Sequence, residues 1–490
     1  MTEVVSGVET HNGGAVATPH EVAPEAFQRR ILAAADAGAR VVAYYGEGHA
    51  PHVTLTAVLA DDRSGRLEIL RSRVDGPSLP SLTPQLTELH LFEREVFERN
   101  GLEPLGHPWL KPVRFTRDGD VVGVTDYYRV EGEGVHEVGV GPIHAGIIEP
   151  GHFRFQCHGE TVFHLEISLG YQHRGVEGGI LRGPTKRVLH LVETAAGDTT
   201  IAHTLAHCEA REALAGTRVP ARAQAIRAVA LELERLANHV GDLGALAGDV
   251  AFLPTASYCG RIRGELLNLT AALCGNRFGR GLVVPGGVAF DVADPAELVE
   301  RLAVIERDAT GAVDLLWSTP AVRSRFEETG GVATATAQEL GLVGVAARAS
   351  GVAVDVRSDH PTGMYRLAHI PMSVATSGDV YARASVRWLE CARSFAFVRE
   401  QLTALPRGPV RVPLGPLEPA SLVVALSEGW RGEVAHVVRT DAAGGLASYR
   451  ILDPSFHNWS GLAMALRSEA ISDFPLCNKS FNLSYCGYDL

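Results

Sequence analysis

The 490-residue chain lacks the features that define several protein classes. Its seven cysteines are irregularly spaced and form no C-x-x-C pair, which excludes a disulfide scaffold and an iron-sulfur cluster carried by this chain. Long apolar runs are also missing, because LGALAGDVAFL is interrupted by Asp249 and is shorter than the roughly 20 residues of a membrane span. The N-terminal MTEVVSGVETHNGG has neither the basic start nor the apolar block of a signal peptide, so we expect a cytoplasmic chain without a transmembrane segment.

Nucleotide and nucleic-acid sites are disfavoured for similar reasons. No G-x-G-x-x-G string follows a predicted strand, and the Gly-rich GRGLVVPGGV has no phosphate-loop lysine. The formal net charge of −12 leaves no basic face that could neutralise phosphates. With 46% hydrophobic and 21% charged residues, the chain has the composition of an ordinary globular protein, and we predict no nucleic-acid partner.

Hydrophobic patterning divides the chain into parts and predicts an α+β fold. Residues 1–20 are rich in Gly, Thr and Ser and are expected to be disordered. Residues 21–116 alternate helical and strand patterns, which indicates a small α/β domain. Residues 117–137 have the glycine and acidic content of a linker, and residues 138–490 are predicted to form a large, mainly helical domain with a β-rich start.

The clearest helical pattern runs over residues 222–252, where apolar residues recur at spacings of three and four. Another face of this helix carries Arg235, His239, Asp242 and Asp249, and pattern alone favours a solvated face. Asp249 is the exception, because small apolar residues flank it on both sides. We therefore expect Asp249 to be partly buried and active in proton exchange.

Several short strings occur in a fixed order along the chain and together identify a family. They are GPIHAGIIEPGHFRF, LGYQHRGVEGG, ELERLANHVGDLGAL, AARASGVAVDVR, DHPTGMY, SGDVYARASVRWLE and EGWRGEV. They resemble the large subunit of energy-converting nickel-iron hydrogenases of the formate hydrogenlyase type, and its relative, the quinone-pocket subunit of respiratory complex I. The segment LFEREVFERNGLEPLGHPWLKPVRF resembles the small α/β partner subunit of complex I, which is fused to the large subunit in formate hydrogenlyase.

The resemblance also shows which residues are missing. These hydrogenases hold their metals with two C-x-x-C pairs, because soft thiolates suit such metals. The first pair falls on Ala196 and Thr199 in ETAAGDTTIAH, and the second falls on Ser484 and Gly487 in the C-terminal KSFNLSYCGYDL. Cys486 lies one residue out of register, so we predict four vacated ligand positions and no metal. The resemblance implies that the apolar tail folds back to bring these positions together.

Other positions of the family pattern are kept. The resemblance implies that Glu149 carries protons, that Arg431 projects over the reactive centre, and that Asp249 and His144 belong to the same cavity. It assigns His173 and Arg174 to the interface with a small iron-sulfur partner. The tyrosine and the second histidine that hold the quinone headgroup in complex I have no counterpart at their family positions.

The function implied is that of an oxidoreductase subunit in a membrane-associated complex. It would couple electron delivery from the iron-sulfur subunit to ion translocation by membrane-arm subunits. The chain is expected to be cytoplasmic and peripheral, on the inner face of the cell membrane. No cofactor is expected on this chain itself, and a quinone is a candidate occupant of the cavity. Independent hydrogenase activity of this chain is not expected. The alternatives are a genuine formate hydrogenlyase or hydrogenase large subunit with irregular ligands, and a catalytically silent scaffold.

Overall fold

The computed structural model describes residues 7–115, 121–144, 148–183 and 187–490. Helices account for 44% of the structure and strands for 20%. The α+β prediction is confirmed. The strands are β1 (Val8–His11), β2 (Val16–Ala17), β3 (Glu21–Val22), β4 (Arg40–His49), β5 (His52–Asp61), β6 (Arg66–Asp75), β7 (Ser78–Pro80), β8 (Glu103–Leu105), β9 (Val135–Val140), β10 (His152–His158), β11 (Thr161–Ser168), β12 (Val283–Val284), β13 (Gly287–Val288), β14 (Ser421–Glu428), β15 (Glu433–Thr440) and β16 (Leu446–Leu452).

The helices surround these strands and supply most of the second half of the chain. They are α1 (Pro24–Asp36), α2 (His90–Asn100), α3 (Val176–Leu181), α4 (Arg187–Glu193), α5 (Thr200–Leu214), α6 (Ala221–Asp249), α7 (Leu253–Cys274), α8 (Pro295–Trp317), α9 (Pro320–Phe326), α10 (Thr334–Glu339), α11 (Gly344–Ala349), α12 (Val356–Asp359), α13 (Val380–Thr403), α14 (Pro454–Ala465), α15 (Phe474–Phe481) and α16 (Tyr485–Tyr488).

An antiparallel sheet forms the N-terminal part. Strands β1, β6, β5 and β4 are hydrogen-bonded in that order, and β3 adds to β6 in parallel. Helices α1 and α2 pack against this sheet, and the apolar side chains of α1, Phe27 and Ile31, are fully buried. The sheet and its two helices lie mostly within residues 21–116, and β1 joins the sheet from outside this range.

The N-terminus corrects the prediction of disorder for residues 1–20. Within the described residues, β1 pairs with β6, and β2 pairs with β14, which lies near the other end of the chain. Asn12 lies between them and is 2% exposed; its amide donates to the carbonyls of His360 (2.7 Å) and Leu426 (2.9 Å). Its oxygen accepts from the Leu426 amide at 2.7 Å. These buried bonds offset the entropy of ordering a polar segment; residues 1–6 lie outside the described part.

The larger part combines two sheets with a helical layer. Strands β11, β10 and β9 form the expected β-rich start, after an irregular stretch over residues 121–134. Strands β16, β15, β14 and β2 form a second sheet, on which α5 packs. The long helix α6 packs against α7 and α13 and positions the polar groups described below.

The sequence pattern favours a solvated polar face of α6 with Asp249 partly buried, and the structure shows the opposite. Arg235 and His239 are completely buried and Asp242 is 4% exposed, whereas Asp249 is exposed at the end of the helix. The buried groups find partners on α13: His239 contacts Glu390 at 2.9 Å and Arg387 donates to Asp242 at 2.8 Å. Buried charges are tolerated when they are paired in this way, so the face is an interior surface and not a solvated one.

The C-terminal tail is buried, as its apolar composition predicts. Helices α15 and α16 pack against α14, and α15 also contacts α6 and α13. Tyr485, Cys486 and Leu490 are 5%, 5% and 2% exposed. The tail therefore completes the core of the larger part and reaches the loop that precedes α5.

Candidate active-site cavity

A cavity of about 290 Å³ lies where the tail meets the loop between α4 and α5. Its walls include three stretches that are far apart in the sequence: the loop with Gly197 and Asp198, the turn between β14 and β15 with Arg431, and the tail. The lining residues are Ile148, Glu149, Gly197, Asp198, Arg431, Asn478, Lys479, Asn482, Leu483, Ser484, Tyr485 and Cys486. The structure thus brings the predicted residues Glu149, Arg431 and Ser484 to one cavity.

Arg431 and Asp198 form the central ion pair of this cavity. The guanidinium donates to both carboxylate oxygens, at 2.6 and 2.8 Å, and to the Thr199 hydroxyl at 3.2 Å. Its Nε donates to the carbonyl of Asn482 in the tail. Burial lowers the pKa of Arg431, but the Asp198 carboxylate outweighs this effect and the pKa is raised. Arg431 therefore remains a fixed cation at the wall of the cavity.

The loop that carries Asp198 is held by side chains of other elements. Trp430 donates its indole N–H to the Asp198 carbonyl at 3.0 Å, and Asn238 donates to the same carbonyl at 3.1 Å. Glu234 accepts from the backbone amide of Ile201 at 2.7 Å and so caps the start of α5. Burial raises the pKa of Glu234 to about 8. The loop is positioned from beneath by a carboxyl group that stays protonated at neutral pH.

The remaining predicted cavity residues meet the tail. Glu149 is half-buried and accepts from the backbone amide of Cys486 at 3.3 Å. His144 contacts the Tyr485 hydroxyl through Nε2 at 3.3 Å, and burial lowers its pKa. Tyr485 is not singled out by the sequence motifs, although its position next to Ser484 in an apolar tail is a usable signal. The segment 145–147 lies outside the described residues.

Asp249 does not line this cavity. It is exposed at the end of α6, where the surrounding protein raises its pKa and Lys479, a cavity residue, lowers it. The acid that contacts the cavity wall from α6 is Asp242, which accepts from the Asn482 side chain at 2.6 Å. Asp249 is more exposed than its apolar flanks suggest, and the proton activity predicted for it stays a prediction.

Comparisons with known proteins agree with this architecture. Residues 249–415 match the family model described as the respiratory-chain NADH dehydrogenase 49 Kd subunit. The carbon monoxide-induced hydrogenase of Rhodospirillum rubrum is 30% identical over 350 residues, which are 71% of this chain and 97% of the relative. Formate hydrogenlyase subunit 5 of Escherichia coli is 30% identical over 467 residues, 89% of this chain and 81% of the relative. NADH-quinone oxidoreductase subunit 4 of Thermus thermophilus is 29% identical over 379 residues, 69% of this chain and 90% of the relative.

The chain belongs to this family of hydrogenase and complex I 49-kDa subunits. It is a hydrogenase- or complex I-type oxidoreductase subunit, and its relatives are subunits of multisubunit energy-converting complexes. Across the described ranges, no helix is both long enough and apolar enough to span a membrane.

The four positions to which the resemblance assigns the family's thiolates are closely packed in this chain. Ala196 and Thr199 are completely buried, Ser484 is 5% exposed, and Gly487 is buried as well. A Cβ atom added to Gly487 would lie 2.6 Å from Cγ of Asp453, so a cysteine at this position would displace the Asp453 carboxylate. The present residues therefore do not fit a four-thiolate centre.

Cys486 is the one cysteine among the residues that line the cavity. Burial and the nearby Glu149 raise the pKa of its thiol to about 11, so it is protonated at neutral pH. Its sulfur lies 3.3 Å from the Ser484 hydroxyl. In the described part of the chain, no three His, Cys, Asp or Glu side chains form a group suited to a metal ion.

The residues expected at the interface with an iron-sulfur partner lie beside the cavity loop. His173 and Arg174 are exposed, and Arg174 donates to the carbonyls of Thr194 and Ala195, both at 2.8 Å. His173 contacts the Asp489 carbonyl at 3.0 Å. Both side chains thus join the surface to the loop and the tail that form the cavity.

Proposed function

We propose that this chain couples electron transfer from a small iron-sulfur subunit to ion translocation by membrane-arm subunits, without a nickel-iron centre of its own. The complex would lie on the cytoplasmic side of the cell membrane. The observation that carries the proposal is the combination found in one cavity: the ion pair Arg431–Asp198 and Glu149 are present, whereas the thiolate positions are closely packed by other residues. Such a cavity stabilises charge but lacks ligands for the family's metals.

A small electron acceptor such as a quinone is the proposed occupant. The cavity volume of about 290 Å³ is close to the lower end of the roughly 300–1,000 Å³ of small-molecule sites. Tyr485 lines the cavity and offers its hydroxyl to a carbonyl oxygen, and His144, which does not line the cavity, contacts this hydroxyl at 3.3 Å. Burial raises the pKa of Tyr485 to about 12, which keeps the hydroxyl proton available as a hydrogen-bond donor. This pair would take the place of the headgroup ligands that are missing at the family positions.

The exposed His173 and Arg174 are proposed to receive the iron-sulfur subunit, which would place its cluster within reach of the cavity. Arg174 is bonded to the carbonyls of Thr194 and Ala195, in the same loop as Asp198. A partner seated on this surface would therefore contact the loop that holds the Arg431 ion pair. Electron arrival would change the charge beside Arg431 and Glu149, and proton movement would compensate it.

Metal analysis of the purified intact complex tests this proposal against the hydrogenase alternative. We expect iron from the partner's cluster and no stoichiometric nickel. Cys486, which lies beside Glu149, is the observation that favours the alternative, a hydrogenase with irregular ligands. Nickel in a one-to-one ratio that is lost on replacing Cys486 by Ser would refute the proposal.

Replacing Glu149 by Gln distinguishes an active subunit from a silent scaffold. The substitution keeps the size and the acceptor oxygen of the side chain but removes its proton transfer. We expect electron transfer through the complex to fall by at least about tenfold, since positioned acid-base groups contribute about 10²–10⁴-fold. The control is Glu300→Gln on the exposed face of α8. Equal turnover of the two variants would favour the scaffold.

A further inference from the structure

We propose that Asp453, His203, His436, Tyr449 and His207 form a proton relay that leads from His207 to Asp453, which lies beneath the tail segment of the cavity. The contacts are continuous: Asp453 Oδ2 to His203 Nε2 is 3.0 Å, and His203 Nδ1 to His436 Nε2 is 3.2 Å. His436 Nδ1 to the Tyr449 hydroxyl is 2.8 Å, and the same hydroxyl lies 2.6 Å from His207 Nδ1. None of the five residues is more than 3% exposed.

Both ends of the relay, Asp453 and His207, are buried, and each has a neighbour that lines a cavity or a cleft. At its inner end, Asp453 lies directly beneath Gly487 and accepts from the Ser455 amide at 2.8 Å, and the Ser455 hydroxyl accepts from the amide of Ser484 at the cavity border. At its outer part, Tyr449 lines a cleft of about 230 Å³. Among the described residues, the Ser484–Gly487 turn therefore separates Asp453 from the cavity.

One arrangement of protons satisfies every contact when Asp453 is ionised and the histidines are neutral. His203 must then donate from Nε2 to Asp453, which leaves its Nδ1 as an acceptor for His436 Nε2–H. His436 Nδ1 is consequently an acceptor for the Tyr449 O–H, and the oxygen of Tyr449 accepts from His207 Nδ1–H. All four bonds therefore point toward Asp453, which is the order that a proton wire requires.

The charges around the relay favour these protonation states. Burial lowers the pKa of His207 to about 3, holds the pKa of His436 well below its ordinary value, and raises the pKa of Tyr449. Burial raises the pKa of Asp453, but the His203 bond and Arg431 outweigh this and lower it. Other ionisable groups also face the relay: Arg211 beside His207, Cys208, Arg211 and Glu177 beside Tyr449, and His457 beside Asp453.

The uptake of one proton reverses the direction of all four hydrogen bonds in the relay, and their number does not change. A proton that arrives at His207 Nε2 releases the Nδ1 proton to Tyr449, whose hydroxyl proton passes to His436 Nδ1. The Nε2 proton of His436 passes to His203 Nδ1, and the Nε2 proton of His203 neutralises Asp453. Each bond then points away from Asp453. Because the rings are packed in the core, the relay resets when the proton returns, so it carries one charge in each direction per cycle.

The proton positions can be measured on the purified full-length chain with ¹⁵N-labelled histidine. We expect the proton on Nε2 of His203 and His436 and on Nδ1 of His207 at neutral pH. Replacing Tyr449 by Phe removes one oxygen and should abolish the Nδ1–H preference of His207 while leaving His203 unchanged. A proton on Nδ1 of His436, or a doubly protonated His436, would overturn the relay. This measurement does not depend on the proposed electron transfer.

The second measurement is proton uptake by the intact complex when its iron-sulfur cluster is reduced, followed with a pH indicator. The use of the relay to change the charge of Asp453 when an electron reaches the cavity rests on the proposed function. Uptake should slow by at least about tenfold in Tyr449→Phe but not in Tyr44→Phe, a buried tyrosine of β4. Equal rates in a complex that contains no stoichiometric nickel and is impaired by Glu149→Gln would overturn the relay. If the proposed function fails instead, nickel is stoichiometric or Glu149→Gln is neutral, while the histidine tautomers and their change in Tyr449→Phe are intact.

Discussion

The carboxyl group of Glu234 should make the stability of the chain depend on pH in a predictable direction. Glu234 is 9% exposed, accepts from Ile201 N at 2.7 Å and Ala202 N at 3.3 Å, and faces the nearby Asp198. Burial is the largest cause that raises its pKa, to about 8 from an ordinary value of 4.5. Between about pH 4.5 and pH 8, Glu234 therefore keeps its proton in the folded chain and has lost it in the unfolded chain.

The sign follows from this difference in bound protons. Below about pH 4.5 both states hold the proton and Glu234 costs nothing through ionisation. As the pH rises from about 4.5 to about 8, the free energy of unfolding falls, and above about pH 8 it falls no further on account of Glu234. At about 1.36 kcal/mol for each pKa unit, the full effect is on the order of 2–5 kcal/mol.

Replacing Glu234 by Gln removes the ionisation but keeps an oxygen that can accept from Ile201 N. Urea unfolding of the purified chain at pH 5 and at pH 8.5 should show a small difference between variant and wild type at the lower pH. At the higher pH the variant should be more stable by about 2–5 kcal/mol. Glu300→Gln on the exposed face of α8 is the matched control. A difference between Glu234→Gln and wild type that does not grow with pH would show that Glu234 is ionised in the fold.

Two further substitutions test the packing that the structure describes. Gly487→Ala should lower the free energy of unfolding in urea by about 1–3 kcal/mol, because the new methyl group would lie 2.6 Å from Cγ of Asp453. The control is Gly311→Ala on α8, where a Cβ meets nothing within 4 Å and the substitution should be neutral or stabilising. Equal effects at the two sites would contradict the close packing around Gly487. Asn12→Ala should cost about 1–3 kcal/mol and expose the N-terminus to proteolysis, because the Leu426 amide and carbonyl lose their partner; unchanged cleavage and stability would show that this segment is loosely held.

The sequence predicts those parts of the fold that depend on local patterning. The apolar stripe of α6 and the apolar tail require burial wherever their partners come from. The meeting of tail and early loop was implied by family resemblance, and the residues that line the cavity agree with it. The burial of Arg235 and His239 could not be predicted from the local sequence, because the groups that pair with them, such as Glu390, lie about 150 residues further along the chain.

The ordered N-terminus and the histidine relay escape sequence-based prediction for the same reason. Composition favours disorder for a short polar segment, but β2 gains its backbone partners from β14, far along the chain. His203 and His207 are four residues apart and therefore share one face of α5, which is a usable signal. Their partners His436 and Tyr449 come from adjacent strands, and only the register of β15 on β16 brings these two residues together.

The buried charges of α6 also determine where Arg431 points. Arg235 donates to the backbone carbonyls of Glu428 (2.6 Å) and Gly429 (3.0 Å), immediately before the turn that carries Trp430 and Arg431. Trp430 lies under the Arg431 guanidinium, whose central carbon is 3.9 Å from the ring centroid, and packs edge-on against His239.

The cation of the cavity is thus fixed by a carbonyl-bound arginine on one side and by Asp198 on the other. A guanidinium held from two sides does not reorient when charge arrives beside it, so its field acts fully on an incoming electron. In the proposed function, protons would compensate this charge, and the carboxyl groups placed to accept them are Glu149 at the wall and Asp453 beneath Gly487. A fixed cation with two such carboxyl groups nearby would suit electron-coupled proton transfer.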